Sequence, residues 1–178
     1  MTADAKRYIV DSDVFITAKN RYYAFDLCPG FWKCLIRRHL DGRVFSIDRV
    51  KAELLSGRKT EDLVVWVKAE VPDGFFCGVD DEAVTAKYTE IMFWAQRSPD
   101  FTDAAKAKFA TGADGWIVAF AAVNGAIVVT NERPAPEARR EIKLPNVCDA
   151  FGVPYRDTFQ MLRDLAVKFD WGEQADVG

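Results

Sequence analysis

Five acidic residues stand at places in the sequence where a carboxylate could take part in chemistry. Asp11 ends the apolar run RYIV, and Asp13 follows two positions later. Asp114 opens the apolar stretch GWIVAFAAV, Glu132 comes just after the run AIVVT, and Glu53 lies within the segment VKAEL. Carboxylates that meet without basic residues between them repel one another unless cations neutralise them. Oxygen ligands suit Mg²⁺ or Mn²⁺, and such ions can promote phosphodiester hydrolysis without a histidine.

The acids can meet only if the chain folds as alternating strands and helices. Short runs typical of buried strands are RYIVD, VFSI, AIVVT and GVPY. Segments with helical spacing or composition separate them, and the most apolar of these is GWIVAFAAVN. The alternation predicts the α/β class, as a three-layer α/β/α sandwich with a central, mainly parallel sheet. The length predicts one domain over residues 1–169, with a frayed tail over residues 170–178.

This topology predicts where the acids lie. Ligands of open parallel sheets bind beyond the carboxyl ends of the strands. Asp11 and Glu132 each follow a strand, Asp114 opens the helix that leads into AIVVT, and Glu53 lies one turn into the helix after VFSI. Taken singly, Asp114 could be a helix cap and Glu53 a solvated surface residue. The indication of a site therefore comes from four acids predicted to meet at one edge.

Composition excludes several other kinds of site. The chain has one histidine, His39, and four cysteines without a CxxC pair, which argues against a zinc site and against a Ser-His-Asp triad. Four reduced thiols, and no run of about 20 apolar residues, fit a cytoplasmic protein that does not span a membrane. The formal net charge is −3. Neutralising the five acids with bound cations would bring it to +2, which permits a polyanionic substrate.

The order of four short motifs resembles that of the PIN-domain nucleases. YIVDSDVFI resembles the first PIN motif, VKAEL the second, GADGWIVAFA the third and VVTNE the fourth. The resemblance implies that four acids are catalytic metal ligands, namely Asp11, Glu53, Asp114 and Glu132. It also implies that Asp13 is an auxiliary acid, and that Thr130 and Asn131 orient the site. The resemblance runs from Tyr8 to about Phe159.

The resemblance also implies an activity and partners. The ending KLPNVCDAFGV is similar to an uncharacterised prokaryotic branch of the PIN-like superfamily, related to VapC-type toxins. Such proteins are Mg²⁺- or Mn²⁺-dependent ribonucleases that pair with an antitoxin protein and often form homodimers. The expected substrate is therefore RNA. Two features depart from the pattern: Glu132 stands where Asp is commoner, and the region from Lys59 to Gly112 is longer than in the smallest PIN toxins.

Basic and aromatic residues offer weaker indications of nucleic-acid binding. The candidates for phosphate contacts are Arg37, Arg38, Arg49, Lys51 and Arg133. Base stacking needs aromatic rings that are exposed beside a basic groove. Three tryptophans are instead predicted to lie in the core: Trp32, Trp94 and Trp116.

Two other readings of the same residues stay open at this point. DSDVF after a strand also looks like the start of a haloacid-dehalogenase-type phosphatase, in which Asp11 would be the nucleophile and Asp13 an acid/base. Lys143 could be the lysine of that family, but no later acidic pair follows a strand. The third reading is a catalytically silent PIN-like module that keeps the acidic pocket for a structural ion or a basic peptide.

Overall fold

The computed structural model describes residues 5–170 and is built on a five-stranded parallel sheet. The strands are β1 (Tyr8–Val10), β2 (Val44–Ile47), β3 (Phe76–Cys77), β4 (Ile127–Val129) and β5 (Tyr155–Arg156). Their order is β3-β2-β1-β4-β5, and every neighbouring pair is parallel. The predicted α/β class with a parallel central sheet is confirmed. Residues 171–178, most of the predicted frayed tail, lie outside the described residues.

The three inner strands form the centre of the core. Every residue of β1, β2 and β4 is buried, as expected for strands that are covered on both faces of a sheet. Two strand predictions were incomplete. β3 was not predicted, because two residues are too few to show a period, and β5 begins at Tyr155, near the end of the predicted run GVPY.

Helices occupy most of the chain between the strands. Their bounds are α1 (Ser12–Thr17), α2 (Pro29–Leu40), α3 (Asp48–Leu55), α4 (Asp62–Ala69), α5 (Glu82–Arg97), α6 (Asp103–Thr111), α7 (Asp114–Asn124), α8 (Leu144–Phe151) and α9 (Thr158–Asp164). A π-helical turn, Ala18–Tyr22, continues α1. None of the helices within residues 5–170 has the length and apolar character needed to cross a lipid bilayer.

Helix α7 is held close to α5 at the start that carries Asp114. A Cβ atom added at Gly115 would lie 2.9 Å from Met92 Cε and 3.1 Å from Tyr88 Cε2, so any larger residue would require these two side chains of α5 to move. The helix ends at Gly125, which has φ +63°. That left-handed conformation suits glycine and turns the chain into β4. The two ends of α7 thus fix where Asp114 lies relative to the sheet.

Candidate active site

Asp11 lies directly after β1 at the carboxyl edge of the sheet, and its side chain is buried. Its backbone N–H donates to the Val129 carbonyl at 3.0 Å. Its Oδ2 accepts a hydrogen bond from Thr130 Oγ1 at 3.2 Å. Burial, followed by the negative charges of Asp114, Asp13 and Glu132, raises the pKa of Asp11 well above its usual value. Ionised Asp11 is thus a poorly stabilised anion.

Asp114 is the first residue of α7, and its side chain forms no capping hydrogen bond there. Burial raises its pKa to about 7, with further contributions from the charges of Glu132 and Glu53. Lys108 and Lys143 oppose this shift without cancelling it. The simple reading of Asp114 as a helix cap therefore has no support in the geometry.

Glu132 and Glu53 lie on either side of Asp114, and each is held by a backbone N–H. Glu132 Oε2 accepts from the Leu144 N–H at 2.9 Å. Glu53 Oε1 accepts from the Ala113 N–H at 3.0 Å, one residue before Asp114. Glu53 therefore ties α3 to the start of α7. The four predicted acids come from four separate parts of the chain and gather at one sheet edge.

The three auxiliary residues have distinct contacts. Thr130 is buried, and besides donating to Asp11 its hydroxyl accepts from the Glu132 N–H at 3.2 Å. Asn131 Oδ1 accepts from the Thr158 hydroxyl at 2.8 Å, which ties the loop after β4 to α9. Asp13 Oδ1 accepts from Thr17 Oγ1 at 2.9 Å, within α1. Thr130 thus contacts the side chain of Asp11 and the backbone of Glu132, and Asn131 connects the loop that carries Glu132 to α9.

Two open cavities meet at the acids. The larger, about 890 Å³, is lined by residues that include Asp13, Thr130, Asn131, Glu132 and Arg133. The smaller, about 360 Å³, is lined by residues that include Glu53, Lys108, Asp114, Glu132 and Lys143. Glu132 borders both, so its side chain lies at the boundary between the two clefts. A substrate longer than the site could occupy one cleft on each side.

The structure does not bring Arg37 and Arg38 to the acids. Both lie in the last turn of α2, which leads into the amino end of β2, so they stand at the opposite edge of the sheet. Each pairs with Asp41, with nitrogen-to-oxygen distances of 3.6 Å for Arg37 and 3.2 Å for Arg38. The prediction that these two arginines contact a phosphate at the site has no support in their position.

The other three basic candidates lie at the carboxyl edge. Arg49 and Lys51 are in α3, which begins where β2 ends, and Arg133 lines the larger cavity. The guanidinium of Arg49 lies 5.4 Å from the centre of the Trp116 ring, and Lys51 Nζ lies 5.8 Å from that of Phe76. Of the five candidates, Arg133 is the one that shares a cavity with the acids.

Sequence reasoning missed several residues that line the two cavities. Lys143 was considered only for the phosphatase reading. Its Nζ lies 3.9 Å from Glu132 Oε1 and also forms an ion pair with Glu141. The hydrogen bond with Glu141 raises the pKa of Lys143. Arg21, Tyr22 and Phe159 line the larger cavity. Arg21 lies at a helical interval of eight residues from Asp13, but no spacing or motif links Lys143, Tyr22 or Phe159 to the acids.

The donor set fits a hard divalent cation in its chemistry. It consists of oxygens, and a cation would relieve the repulsion that raises the pKa values of Asp11 and Asp114. Within residues 5–170, no three Asp, Glu, His or Cys side chains have the arrangement of a ready-made metal site. Three direct ligands are not required for this fit, because Mg²⁺ keeps several waters and is usually held by one or two carboxylates.

Comparison with known proteins supports the same fold. Residues 8–169 match the family model described as "Domain of unknown function (DUF4411)". No curated protein matches the sequence. The crystal structure of FitAcB from Neisseria gonorrhoeae is similar, with a TM-score of 0.51 at 19% identity over 83% of this chain and 95% of that one. At this identity the similarity concerns the fold alone, and it supports the PIN-like fold expected from the motifs. The chain therefore belongs to the DUF4411 family and has an α/β fold that is consistent with a PIN-like sandwich.

Proposed function

We propose that this protein is a metal-dependent nuclease that hydrolyses phosphodiester bonds in RNA. The observation that carries the proposal is the convergence of four acids, Asp11, Glu53, Asp114 and Glu132, at the carboxyl edge of the sheet, where burial and neighbouring carboxylates raise the pKa values of Asp11 and Asp114. A fold gains no stability from acids that repel one another. Perturbed acids in a cleft are candidates for function. The PIN-like fold and the order of the four motifs supply the reaction class.

Each acid has a role that its contacts can support. Asp11 and Asp114 would hold Mg²⁺ or Mn²⁺, together with Glu132 on the border of both cavities. When bound, such an ion lowers the pKa of a water molecule and stabilises charge on the phosphate. Glu53 fixes the start of α7 through the Ala113 N–H and thereby sets the place of Asp114. Thr130 keeps Asp11 and the backbone of Glu132 in register.

The phosphatase alternative requires Asp11 to attack a phosphate directly. Asp11 is only 4% exposed, and Thr130 occupies its Oδ2 as a hydrogen-bond donor. A nucleophile must reach its substrate, so this burial favours the role of a ligand over that of a nucleophile.

The PIN resemblance further implies that the protein acts as the toxin of a toxin–antitoxin pair. The smaller cleft, which Glu53, Asp114, Glu132 and Glu141 help to line, would accept a basic segment of an antitoxin. Expression of the unmodified chain should then arrest growth, and expression of the Asp11→Asn/Asp114→Asn variant should not. Arrest by both chains would contradict this role.

The nuclease proposal is tested on purified protein with a structured RNA pool and a DNA control, each with Mn²⁺, Mg²⁺ or EDTA. The Asp11→Asn/Asp114→Asn variant should lose about 10³-fold or more in rate, since metal-assisted charge stabilisation is worth several kcal/mol. Asp26→Asn/Asp73→Asn is the matched control, because both of these aspartates are exposed. Cleavage that persists in EDTA, or in the Asp11/Asp114 variant, would contradict the proposal.

A further inference from the structure

Two aromatic side chains stand exposed in the wall of the larger cavity. Tyr22 is 57% exposed and Phe159 is 42% exposed. Their ring centres are 5.6 Å apart, with the planes at 69°, so they form one edge-to-face pair. Single exposed apolar residues need no explanation, but an aromatic pair inside a cleft that reaches the acids does.

The same cavity carries two arginines that are free to bind an anion. Arg21 and Arg133 line it, and neither forms an ion pair or a side-chain hydrogen bond with any residue in the range 5–170. By contrast, Arg37 pairs with Asp41 and Arg139 pairs with Asp100. A guanidinium without an internal partner is available for a phosphate group.

Local backbone geometry connects this wall to the acids. Asp13, Thr17 and Arg21 follow one another at intervals of four residues, which gives them one face of α1 and the turn after it. That turn, Ala18–Tyr22, is π-helical, a rare form that often marks functional sites. It places Tyr22 beside Phe159 of α9. The first residue of α9, Thr158, donates a hydrogen bond to Asn131.

We infer that Tyr22 and Phe159 form a base-stacking platform for single-stranded nucleic acid, next to the phosphodiester that is cut. Arg21 and Arg133 would bind the phosphates of the same strand. The inference rests on the proposed function and assigns the larger cavity to the nucleotides on one side of the cleaved bond. Its volume of about 890 Å³ falls within the range of ligand pockets.

A single strand fits this wall better than the other occupants do. Bases in a duplex are stacked on each other, whereas unpaired bases offer free faces to aromatic rings. A basic peptide would be repelled by the two arginines. An acidic peptide could pair with the arginines, but it offers no flat ring faces for the aromatic pair to stack on.

The test measures binding separately from cleavage. Fluorescence anisotropy would follow a labelled single-stranded RNA 12-mer on the Asp11→Asn/Asp114→Asn protein, which should not cut it. Tyr22→Leu and Phe159→Leu, added to that protein, should each weaken binding about tenfold, in line with one lost stack. Phe93→Leu is the control, because Phe93 is also 57% exposed but lies on α5, away from the cavity. Thermal melting would show that each variant stays folded.

An abasic scan identifies the stacked position. An RNA that lacks the stacked base should bind the unsubstituted platform about tenfold more weakly, and the Leu variants should then cause no further loss. Independent, additive losses would overturn the assignment of that base to the platform. Equal losses on duplex and single-stranded RNA would overturn the stacking itself.

The result also separates this inference from the nuclease proposal. Binding that depends on Tyr22 and Phe159, with no cleavage by the unmodified protein, would keep the platform and reject the nuclease. Cleavage by the unmodified protein, with RNA binding unchanged in both Leu variants, would reject the platform and keep the nuclease. If the two Leu substitutions weakened the binding of a partner protein but not the binding of RNA, the platform would be overturned and this wall would be assigned to a protein interface.

Discussion

The surroundings of the carboxylates differ between the two edges of the sheet and shift their pKa values in opposite directions. At the amino edge, Asp164 accepts a hydrogen bond from Tyr8 Oη at 2.9 Å and has Lys6 Nζ at 3.5 Å and Arg156 Nε at 3.8 Å. The hydrogen bond from Tyr8, more than the nearby charges, holds the pKa of Asp164 below its usual value. This acid is stabilised as an anion by the fold.

At the carboxyl edge, the fold gathers acids, and Asp11 accepts a hydrogen bond from Thr130 but has no basic partner within residues 5–170. The pKa values of Asp11 and Asp114 are raised, first by burial and then by the negative charges of neighbouring carboxylates. Acids that served only stability would be paired, as Asp164 is. The difference indicates that the carboxyl edge is arranged for a bound cation, and the following predictions test that contrast.

The largest expected effect is on stability as a function of pH. The folded-state pKa values of Asp11 and Asp114 lie above their unfolded values, so the folded chain holds these protons more tightly. For Asp114 the stability that this supplies is complete below about pH 4 and is lost as pH rises through about 7, and for Asp11 it is lost in the same direction. In EDTA, the free energy of unfolding should fall by about 2 kcal/mol or more between pH 5 and pH 8.

Added Mn²⁺ should reverse most of this loss at pH 8 and have little effect at pH 5, because protonated acids bind metal poorly. Urea titrations at each pH provide the measurement, with Asp11→Asn/Asp114→Asn as the control that should show a flatter profile. A free energy of unfolding in EDTA that rises between pH 5 and pH 8 would contradict the prediction and the difference between the two edges of the sheet.

Glu53→Gln should reduce cleavage about 10- to 100-fold, the usual cost of altering a residue that orients metal ligands. The amide keeps an oxygen that can accept from the Ala113 N–H, so the start of α7 should stay in place. Initial rates with Mn²⁺ test the loss of cleavage, and a melting curve tests whether the fold is retained. A loss of folding in place of activity would show that the charge of Glu53 serves structure alone.

At the amino edge, Asp164→Ala should destabilise the fold by about 1–2 kcal/mol, since it leaves the hydroxyl of buried Tyr8 without its acceptor. Cleavage per folded molecule should not change. Tyr8→Phe in the same protein should cost less than it does alone, because the partner is already gone. Strict additivity of the two free energies would show that the hydrogen bond contributes nothing.

The smallest expected effect is that of Arg37→Gln/Arg38→Gln. Both arginines lie at the edge opposite to the acids and pair with Asp41. Exposed ion pairs of this kind contribute little, so we expect less than a twofold change in cleavage and a loss of stability within about 1 kcal/mol. A tenfold rise in KM would show that RNA reaches across to the amino edge.

Much of the fold could be predicted because its signals are local. Apolar runs that stop at Asp11 and before Glu132 mark strand ends, and the apolar segment from Asp114 to Gly125 marks a core helix with a glycine stop. β3 could not be found this way, since two residues show no period. Arg37 and Arg38 seemed to be candidates by charge alone, although a helix that precedes a parallel strand must end at the amino edge.

The site could be predicted only as far as single strands and helices point to it. The position of Asp11 follows from β1, and that of Glu132 from β4. Lys143, Arg21, Tyr22 and Phe159 could not be found, because each reaches its cavity through a loop or helix whose path depends on packing. The hydrogen bond from the Thr158 hydroxyl to Asn131, for example, links α9 to the loop after β4, and these two residues are 27 positions apart in the sequence.

The sequence by itself determined the order of strands and helices apart from β3, the chemical type of the donors and their attachment to strand ends, because these follow from hydrophobic period and residue type. Tertiary structure alone decided which acids are buried together, which arginines stay unpaired and which aromatic rings share a cleft. Burial and electrostatic repulsion depend on distances between residues that are far apart in the chain, and no local pattern records those distances.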